Sequence, residues 1–379
     1  MTLLTCANIA DLRAKARAVL PKPIFDLYDG AAFEEKTLAA NIADFGHLRF
    51  RQRVVRDVSS RNLATTIVGQ PAAMPVVISP TGMSGLLHRG VGELDAARAA
   101  RAAGVPFTLG AMSICPLEQV AAAVGPVWFQ LFLLKDKGLM ASLVERAVAV
   151  ASPVLIITVS WPIAGQANRS IRNGTDSIPP RMSPAMLWAF ARKPRWTLGS
   201  LTGKPPRLGN FDRTVDFARL ASMLESTPSW RDIEYLRKLW PGKLVIKGIL
   251  DPDDARLAFD AGADAISVSN HGGNCLDETV SSISILPRIV EAVADRGEIF
   301  MDGGVRSGQD VLKALARGAK ACLLGRAHLY GLAAGGEAGV ARALTCIRNE
   351  LDITMGYTGL MDVGDASPAI LFDPPTYLV

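Results

Sequence analysis

The sequence is poor in the residues that hold small secreted or metal-dependent domains together. Its five cysteines, Cys6, Cys115, Cys275, Cys322 and Cys346, are odd in number, far apart and nowhere in a CxxC pair. That excludes a disulfide framework and a cysteine zinc site. There are only four histidines, and none joins carboxylates or cysteines at metal-ligand spacing, so no metal is expected. No run of about 18 apolar residues occurs and no basic, apolar leader opens the chain. The expectation is a cytoplasmic protein without a membrane-spanning helix. Lys and Arg total 41 against 36 Asp and Glu, a net charge of +5 with no basic stripe, so no nucleic-acid partner is expected. No GxGxxG follows a β-like run, which removes the signature of a dinucleotide-binding doubly wound sheet.

What is present is apolar residue in quantity, 49% of 379 residues, enough for a large core. Eight short β-rich runs alternate with helical stretches: MPVVISP (74–80), PFTLG (106–110), VWFQLF (127–132), VLIITVS (154–160), LVIKGI (244–249), AISVSN (265–270), EIFMDGG (298–304) and ACLLGR (321–326). Nearly continuous Val, Ile and Leu marks strands covered on both faces, hence parallel strands with crossover helices. The intervening helices are Ala-rich and amphipathic; two open on the capping residues Asp251 and Ser307 and end near glycine. Eight such units predict a single (β/α)8 TIM barrel occupying the whole chain, 1–379. Residues 1–68 form an N-terminal helical arm, and 162–243 contain a long insertion after strand 4. The insertion emerges on the catalytic face, as a lid or a docking surface. Its segment SPAMLWAFARKPRW (183–196) mixes apolar and basic side chains, and membrane-surface docking stands beside a helix covering the barrel mouth.

Chemistry is expected at the strand ends. MDGGVRSG (301–308) and LLGRA (323–327) follow the seventh and eighth strands, where glycines allow close backbone approach, helix N-termini follow, and Arg306 and Arg326 can bind anion oxygens. This predicts a phosphate site. Lys247 in VIKG is a cation in the barrel mouth that needs an anionic or electron-rich partner, a ligand or a structural carboxylate. Gln130 and Thr158 end strands three and four with neutral hydrogen-bonding groups suited to the edge of a heterocycle. His271, in SNHGGN (269–274), ends strand six before two glycines, where a neutral imidazole can take a proton. His47 and His328 read as structural, and His88 lies in a loop.

The motifs PTGM (80–83), WFQLF, TVSWP (158–162), VIKG, SNHGGNCLD (269–277), DGGVRSG and GRAHLYGLAAGGEAGV (325–340) together resemble the FMN-dependent α-hydroxy acid oxidases and dehydrogenases. The likeness runs over almost the whole chain, including the arm, and the stretch 193–210 is similar to the membrane-associated dehydrogenase branch. The resemblance implies FMN across the barrel mouth, with its phosphate on Asp302, Gly303, Gly304, Arg306, Gly325 and Arg326. Lys247 with Ser269 would face the flavin N1 and O2, and Pro80, Thr81, Gly82, Gln130 and Thr158 would hold its other edges. His271 would be the catalytic base beside Lys247. It implies a small-molecule substrate, an electron acceptor that is oxygen, a quinone or a cytochrome, a homotetramer, and peripheral contact with the inner face of the membrane.

Departures from the pattern are as informative. The two arginines and two tyrosines that clamp a substrate carboxylate in the family fall on Asn274, Ala167, Leu27 (with Tyr28 beside it) and Phe132. Losing bidentate arginine contacts disfavours a small free hydroxy acid. Arg169 or Arg172 swinging in stands as the alternative. The aspartate that supports the histidine is Ser160, which lowers the expected His271 pKa unless Asp277 compensates. Three functions follow: oxidation of a CH–OH group in a 2-hydroxy acid or a less anionic ester, amide or aryl relative; amine oxidation in a peptide-derived natural product, since HGGN resembles the premycofactocin synthase branch; or a flavin-binding scaffold that has lost catalysis.

Overall fold

A computed structural model describes residues 2–88, 91–163, 165–177, 180–202, 207–212 and 222–372. Residues 203–206, within the stretch 193–210 singled out above, lie outside it. Three helices begin the arm: α1 (Ile9–Val19), α2 (Lys22–Asp29) and α3 (Lys36–His47). Eight parallel strands then form one sheet: β1 (Val76–Ile78), β2 (Thr108–Gly110), β3 (Trp128–Phe132), β4 (Val154–Thr158), β5 (Lys243–Ile249), β6 (Ala265–Val268), β7 (Glu298–Met301) and β8 (Ala321–Leu324). Each pairs in parallel with its neighbour in sequence, β8 pairs with β1, and a parallel bridge from Ile78 to Phe107 brings β1 against β2. The sheet therefore closes into the expected barrel, with a core at the same strand runs read from the sequence.

The helices outside the barrel are α4 (Gly92–Ala102), α5 (Leu117–Val124), α6 (Lys137–Ala149), the insertion helices α7 (Asn168–Asn173), α8 (Pro184–Ala191) and α9 (Pro194–Thr202), then α10 (Trp230–Leu239), α11 (Pro252–Asp260), α12 (Ser282–Val293), α13 (Gly308–Ala316) and α14 (Arg326–Thr358). Asp251 caps α11 by accepting from the Asp253 and Asp254 amides, and Ser307 caps α13 by accepting from Asp310. These bonds satisfy amides that the helix start leaves without partners.

Inward side chains from alternate strand positions, Val77, Trp128, Ile156, Val245, Phe300 and Leu323 among them, fill the barrel interior. An antiparallel hairpin, Thr65–Ile67 with Gln70–Ala72, adds Ile67, Val68 and Ala72 to that interior cluster. With the interior filled in this way, polar groups concentrate at the opposite, carboxyl ends of the strands.

Candidate active site at the barrel mouth

Adjacent parallel strands deliver Lys247, Ser269 and Asp302 to one place. The buried Lys247 ammonium pairs with Asp302 Oδ2 at 2.7 Å and donates to Ser269 Oγ at 3.1 Å. Ser269 Oγ donates to Asp302 Oδ1 at 2.6 Å and accepts from the His271 amide at 3.1 Å. Desolvating an ammonium requires such a partner, so the structural carboxylate left open above is Asp302. Across the mouth, Gln130 Nε2 donates to Thr158 Oγ1 at 3.0 Å, both groups buried. A Cβ on Gly110 would meet Gln130 Oε1 at 3.3 Å, Thr81 O at 3.6 Å and Pro80 Cβ at 3.8 Å, so Pro80, Thr81, Gln130 and Gly110 line one wall. Gly82 follows in the same loop, its added Cβ touching Met112 at 3.4 Å.

The glycine loops hold their conformation for steric reasons. Gly303 and Gly304 have φ of 92° and 88°, and a Cβ on Gly304 would lie 1.9 Å from the Asn41 carbonyl, so the arm presses directly on this loop. Gly325, at the start of α14, has nothing within 4 Å of an added Cβ, leaving room at a helix N-terminus. Ser282 Oγ, buried and 3.0 Å from where a Gly303 Cβ would stand, has no hydrogen-bond partner among the described residues. Arg306 lies 5.8 Å from the Tyr330 ring centre and donates to the Val305 carbonyl at 2.9 Å. Arg326 turns elsewhere. Its buried fork donates to the carbonyls of Tyr28 (3.0 Å), Gly272 (2.8 Å) and Gly30 and to Asn274 Oδ1 (3.1 Å). Burial, with Arg306 nearby, pushes its guanidinium down to about 10.

His271 opens a tight turn in which it, Gly272 and Gly273 have φ of 56°, 64° and 80°. Side chains at the two glycines would strike Arg326 Nη1 (2.6 Å) and the Leu38 amide (2.9 Å), which is why glycine stands at both. The His271 Nδ1 lies 3.0 Å from Ser160 Oγ, and its ring, 6.2 Å from Trp161, is partly exposed at the mouth. Burial, Lys247 and Arg326 together outweigh Asp302 and push His271 down to about 3. At neutral pH the ring is therefore uncharged and able to accept a proton. Asp277 offers no help. It accepts from the Thr37 amide at 2.7 Å and the Glu34 amide at 3.1 Å, fixing the arm.

The four clamp positions carry no charge. Leu27 is 40% exposed, Phe132 packs edge-on against Trp161 at 5.2 Å, Ala167 caps α7, and Asn274 is exposed apart from its bond to Arg326. Tyr28 turns inward and donates to the Met83 carbonyl at 2.6 Å, and burial raises its pKa. Arg169 does not swing into the mouth: it pairs with Asp29 at 2.8 Å and with Glu35. Asp29, almost fully buried, also accepts from Arg13 at 2.8 Å and Tyr330 at 2.7 Å. Burial alone would raise the Asp29 pKa, but these three donors hold it well below the carboxylate range. Arg172 lies with Arg13, Arg17 and Lys22 around a separate cleft on the arm.

Two features escaped the sequence reading. Trp161, quoted only as part of TVSWP, joins Phe132 and His271 in an aromatic wall; an aromatic residue three positions past the last strand residue at the mouth was its only signal. Asn41 and Asn270 exchange two 2.8 Å amide bonds between the arm and the turn after β6, a pairing of residues 229 apart.

The family described as FMN-dependent dehydrogenase matches residues 16–373. An L-lactate dehydrogenase of Caulobacter vibrioides is 43% identical over 96% of this chain and 97% of its own. One from Xanthomonas campestris pv. campestris is 45% identical over 94% and 95%. Among solved structures, a monotopic membrane protein, (S)-mandelate dehydrogenase, superposes with a TM-score of 0.93 at 34% identity, covering 97% of this chain and 99% of that one. A mandelate oxidase variant with 2-hydroxy-phenylacetamide gives a TM-score of 0.83 at 37% identity, covering 97% and 98%. A barrel mouth with a buried cation, neutral donors and an open glycine-bounded helix start suits FMN, and this chain belongs to the FMN-dependent dehydrogenase family, as an enzyme of the α-hydroxy acid dehydrogenase and oxidase class.

Proposed function

We propose that this enzyme oxidises the CH–OH group of a 2-hydroxy acid derivative whose carboxyl is masked, an ester, an amide or an aryl relative, rather than a small free hydroxy acid. Bound FMN supplies a two-electron acceptor for the hydrogen leaving the substrate carbon. Gln130, Thr158 and Lys247 would hold the flavin ring by its polar edges, and Gly303, Gly304, Arg306 and Gly325 would hold its phosphate. Lys247, held in place by Asp302 and Ser269, would hold the polar edge of the bound flavin. His271 accepts the substrate hydroxyl proton at Nε2, because Nδ1 is bonded to Ser160. The alcohol becomes a carbonyl, the proton resides on the imidazole, and Trp161 and Phe132 shield the site from water on one side.

One observation carries the substrate reading. Among the described residues, the candidate guanidinium for a carboxylate clamp, Arg169, is consumed by Asp29 and Glu35, and Asn274 stands where the family has arginine. The complex of a mandelate oxidase variant with 2-hydroxy-phenylacetamide supports a carboxamide ligand in such a pocket. Anaerobic mixing with lactate, mandelate and their esters and amides tests it by the bleaching of oxidised flavin. Bleaching by esters or amides at least tenfold more efficiently than by the free acids is the expected result; the reverse order sinks the reading.

Peripheral membrane contact belongs to the same proposal. No described helix is long and apolar enough to cross a membrane. However, α8, α9 and the residues before them expose Met182, Leu187, Trp188, Leu198 and Leu201, the last two by 61% and 76%. Arg192 and Arg195 are exposed among them. Apolar side chains interleaved with arginines on short helices suit the headgroup boundary of a bilayer.

A further inference from the structure

Beside those helices lies a cleft of about 360 Å³ lined by Arg13, Arg17, Lys22, Phe25, Asp26, Asp29, Arg169 and Arg172. Five cations face two carboxylates there. The carboxylates are already engaged: Asp29 by Arg13, Arg169 and Tyr330, and Asp26 by Lys22 and by Asn173 at 2.8 Å. Arg17 and Arg172 are exposed and form no ion pair among the described residues. The cleft adjoins the apolar surface through two links. Lys193, at the end of α8, donates to the Ala18 carbonyl next to Arg17, and α2 packs against α8. The charge excess thus sits at the edge of the exposed Leu187 and Trp188, where a headgroup would lie if those side chains entered a bilayer.

We propose that this cleft is an anionic phospholipid site, in which Arg17 and Arg172 grip the headgroup phosphate while α8 and α9 enter the acyl boundary. The proposal rests on the membrane-contact reading above and adds to it a lipid class and two recognition residues. Guanidinium forks match phosphate oxygens in pairs, and a cleft open on one side admits a headgroup still attached to its bilayer. Asp26 and Asp29 tie down Lys22, Arg13 and Arg169 and shape the floor, leaving the two unpaired arginines for the ligand.

The test is co-sedimentation of the flavin-loaded enzyme with phosphatidylcholine vesicles, with and without phosphatidylglycerol, compared with Arg17→Gln plus Arg172→Gln and with Leu187→Ser plus Trp188→Ser. Each basic residue near an anionic surface contributes about 1 kcal/mol, so losing two should weaken binding to phosphatidylglycerol vesicles about thirtyfold. The arginine variant should retain whatever affinity phosphatidylcholine alone supports, whereas the apolar variant should lose binding to both vesicle types. Both pairs are exposed, and an unchanged melting temperature with unchanged turnover confirms that the variants are folded. Wild-type protein that binds both vesicles equally leaves membrane contact standing and overturns the lipid site. So does an arginine variant with an undiminished preference for phosphatidylglycerol. Wild-type protein that binds neither overturns membrane contact and the lipid site together.

Discussion

Ser160 Oγ lies 3.0 Å from His271 Nδ1, so the imidazole proposed as the base is held by a hydroxyl that can donate or accept and carries no charge. A Cβ on Gly248 would lie 2.5 Å from Ser160 Cβ, so the serine is seated tightly against the irregularity in β5. With burial first, then Lys247 and Arg326, opposing protonation and Asp302 favouring it, the ring stays neutral well into acid. Ser160→Asp would place a carboxylate where the hydroxyl is, and an opposite charge at this range raises a pKa by about one to three units. The acid limb of the flavin-reduction rate should move upward in pH by that amount. A limb that stays in place would show that Ser160 does not set the charge of His271.

The Asn274 position is predicted to govern whether the substrate carries a free carboxylate. Asn274→Arg should raise kcat/KM for mandelate or lactate relative to the matching amide by about tenfold or more, the worth of a charge-assisted hydrogen bond at roughly 1.5–3 kcal/mol. An unchanged acid-to-amide ratio would contradict that role. Arg326 is close by, so the comparison is made as a ratio within one variant.

Variants of Arg306 and His271 are predicted to separate cofactor binding from chemistry. Arg306→Ala should lower the flavin absorbance per chain, whereas Arg326→Ala should act on it only through the ties from Tyr28 and Gly30 of the arm to the histidine turn. His271→Ala should remain yellow and fail to bleach with substrate. A colourless His271→Ala protein would assign that residue to cofactor binding instead.

Arg169 is predicted to act in folding rather than in substrate binding. Removing one of the three donors to buried Asp29 leaves its charge less compensated, with Arg13 and Tyr330 still in place, and Arg169→Met should destabilise the protein by up to about 3 kcal/mol, with kcat/KM nearly unchanged in the folded fraction. Urea unfolding and steady-state kinetics on the same sample read the two effects. A selective rise in KM for acids would restore Arg169 as a substrate ligand.

His328 makes acid stability measurable. Its Nδ1 bonds the Leu324 carbonyl at 2.6 Å, and burial outweighs that bond, pushing the imidazole from its ordinary 6.5 down to about 4. Because the folded pKa is depressed, the unfolded chain binds the extra proton between those values. The contribution is complete above pH 6.5 and falls by roughly 3 kcal/mol as the pH drops toward 4. His328→Gln should flatten the dependence of unfolding free energy on pH in that window, and an unchanged slope would refute the assignment.

The barrel itself was legible in the chain. Eight apolar runs with parallel-sheet composition, separated by capped helices, admit few arrangements, and β1 to β8 lie where those runs lie. Position at a strand end also sufficed to bring Gln130, Thr158, Lys247, Ser269, His271 and Asp302 to one mouth, because neighbouring parallel strands align their carboxyl ends. What local sequence could not decide was the pairing of long charged side chains. Arg326 reaches the arm at Tyr28 and Gly30, Arg169 reaches Asp29 and Glu35, and Asp277 reaches Thr37, each across more than 130 residues. A guanidinium has several carboxylates and carbonyls to choose among, and desolvation makes the choice depend on which of them the folded arm buries beside it. Sequence determined the scaffold and the identity of the reactive groups; only the tertiary packing of the arm against the barrel decided which charges are consumed and which remain for a ligand.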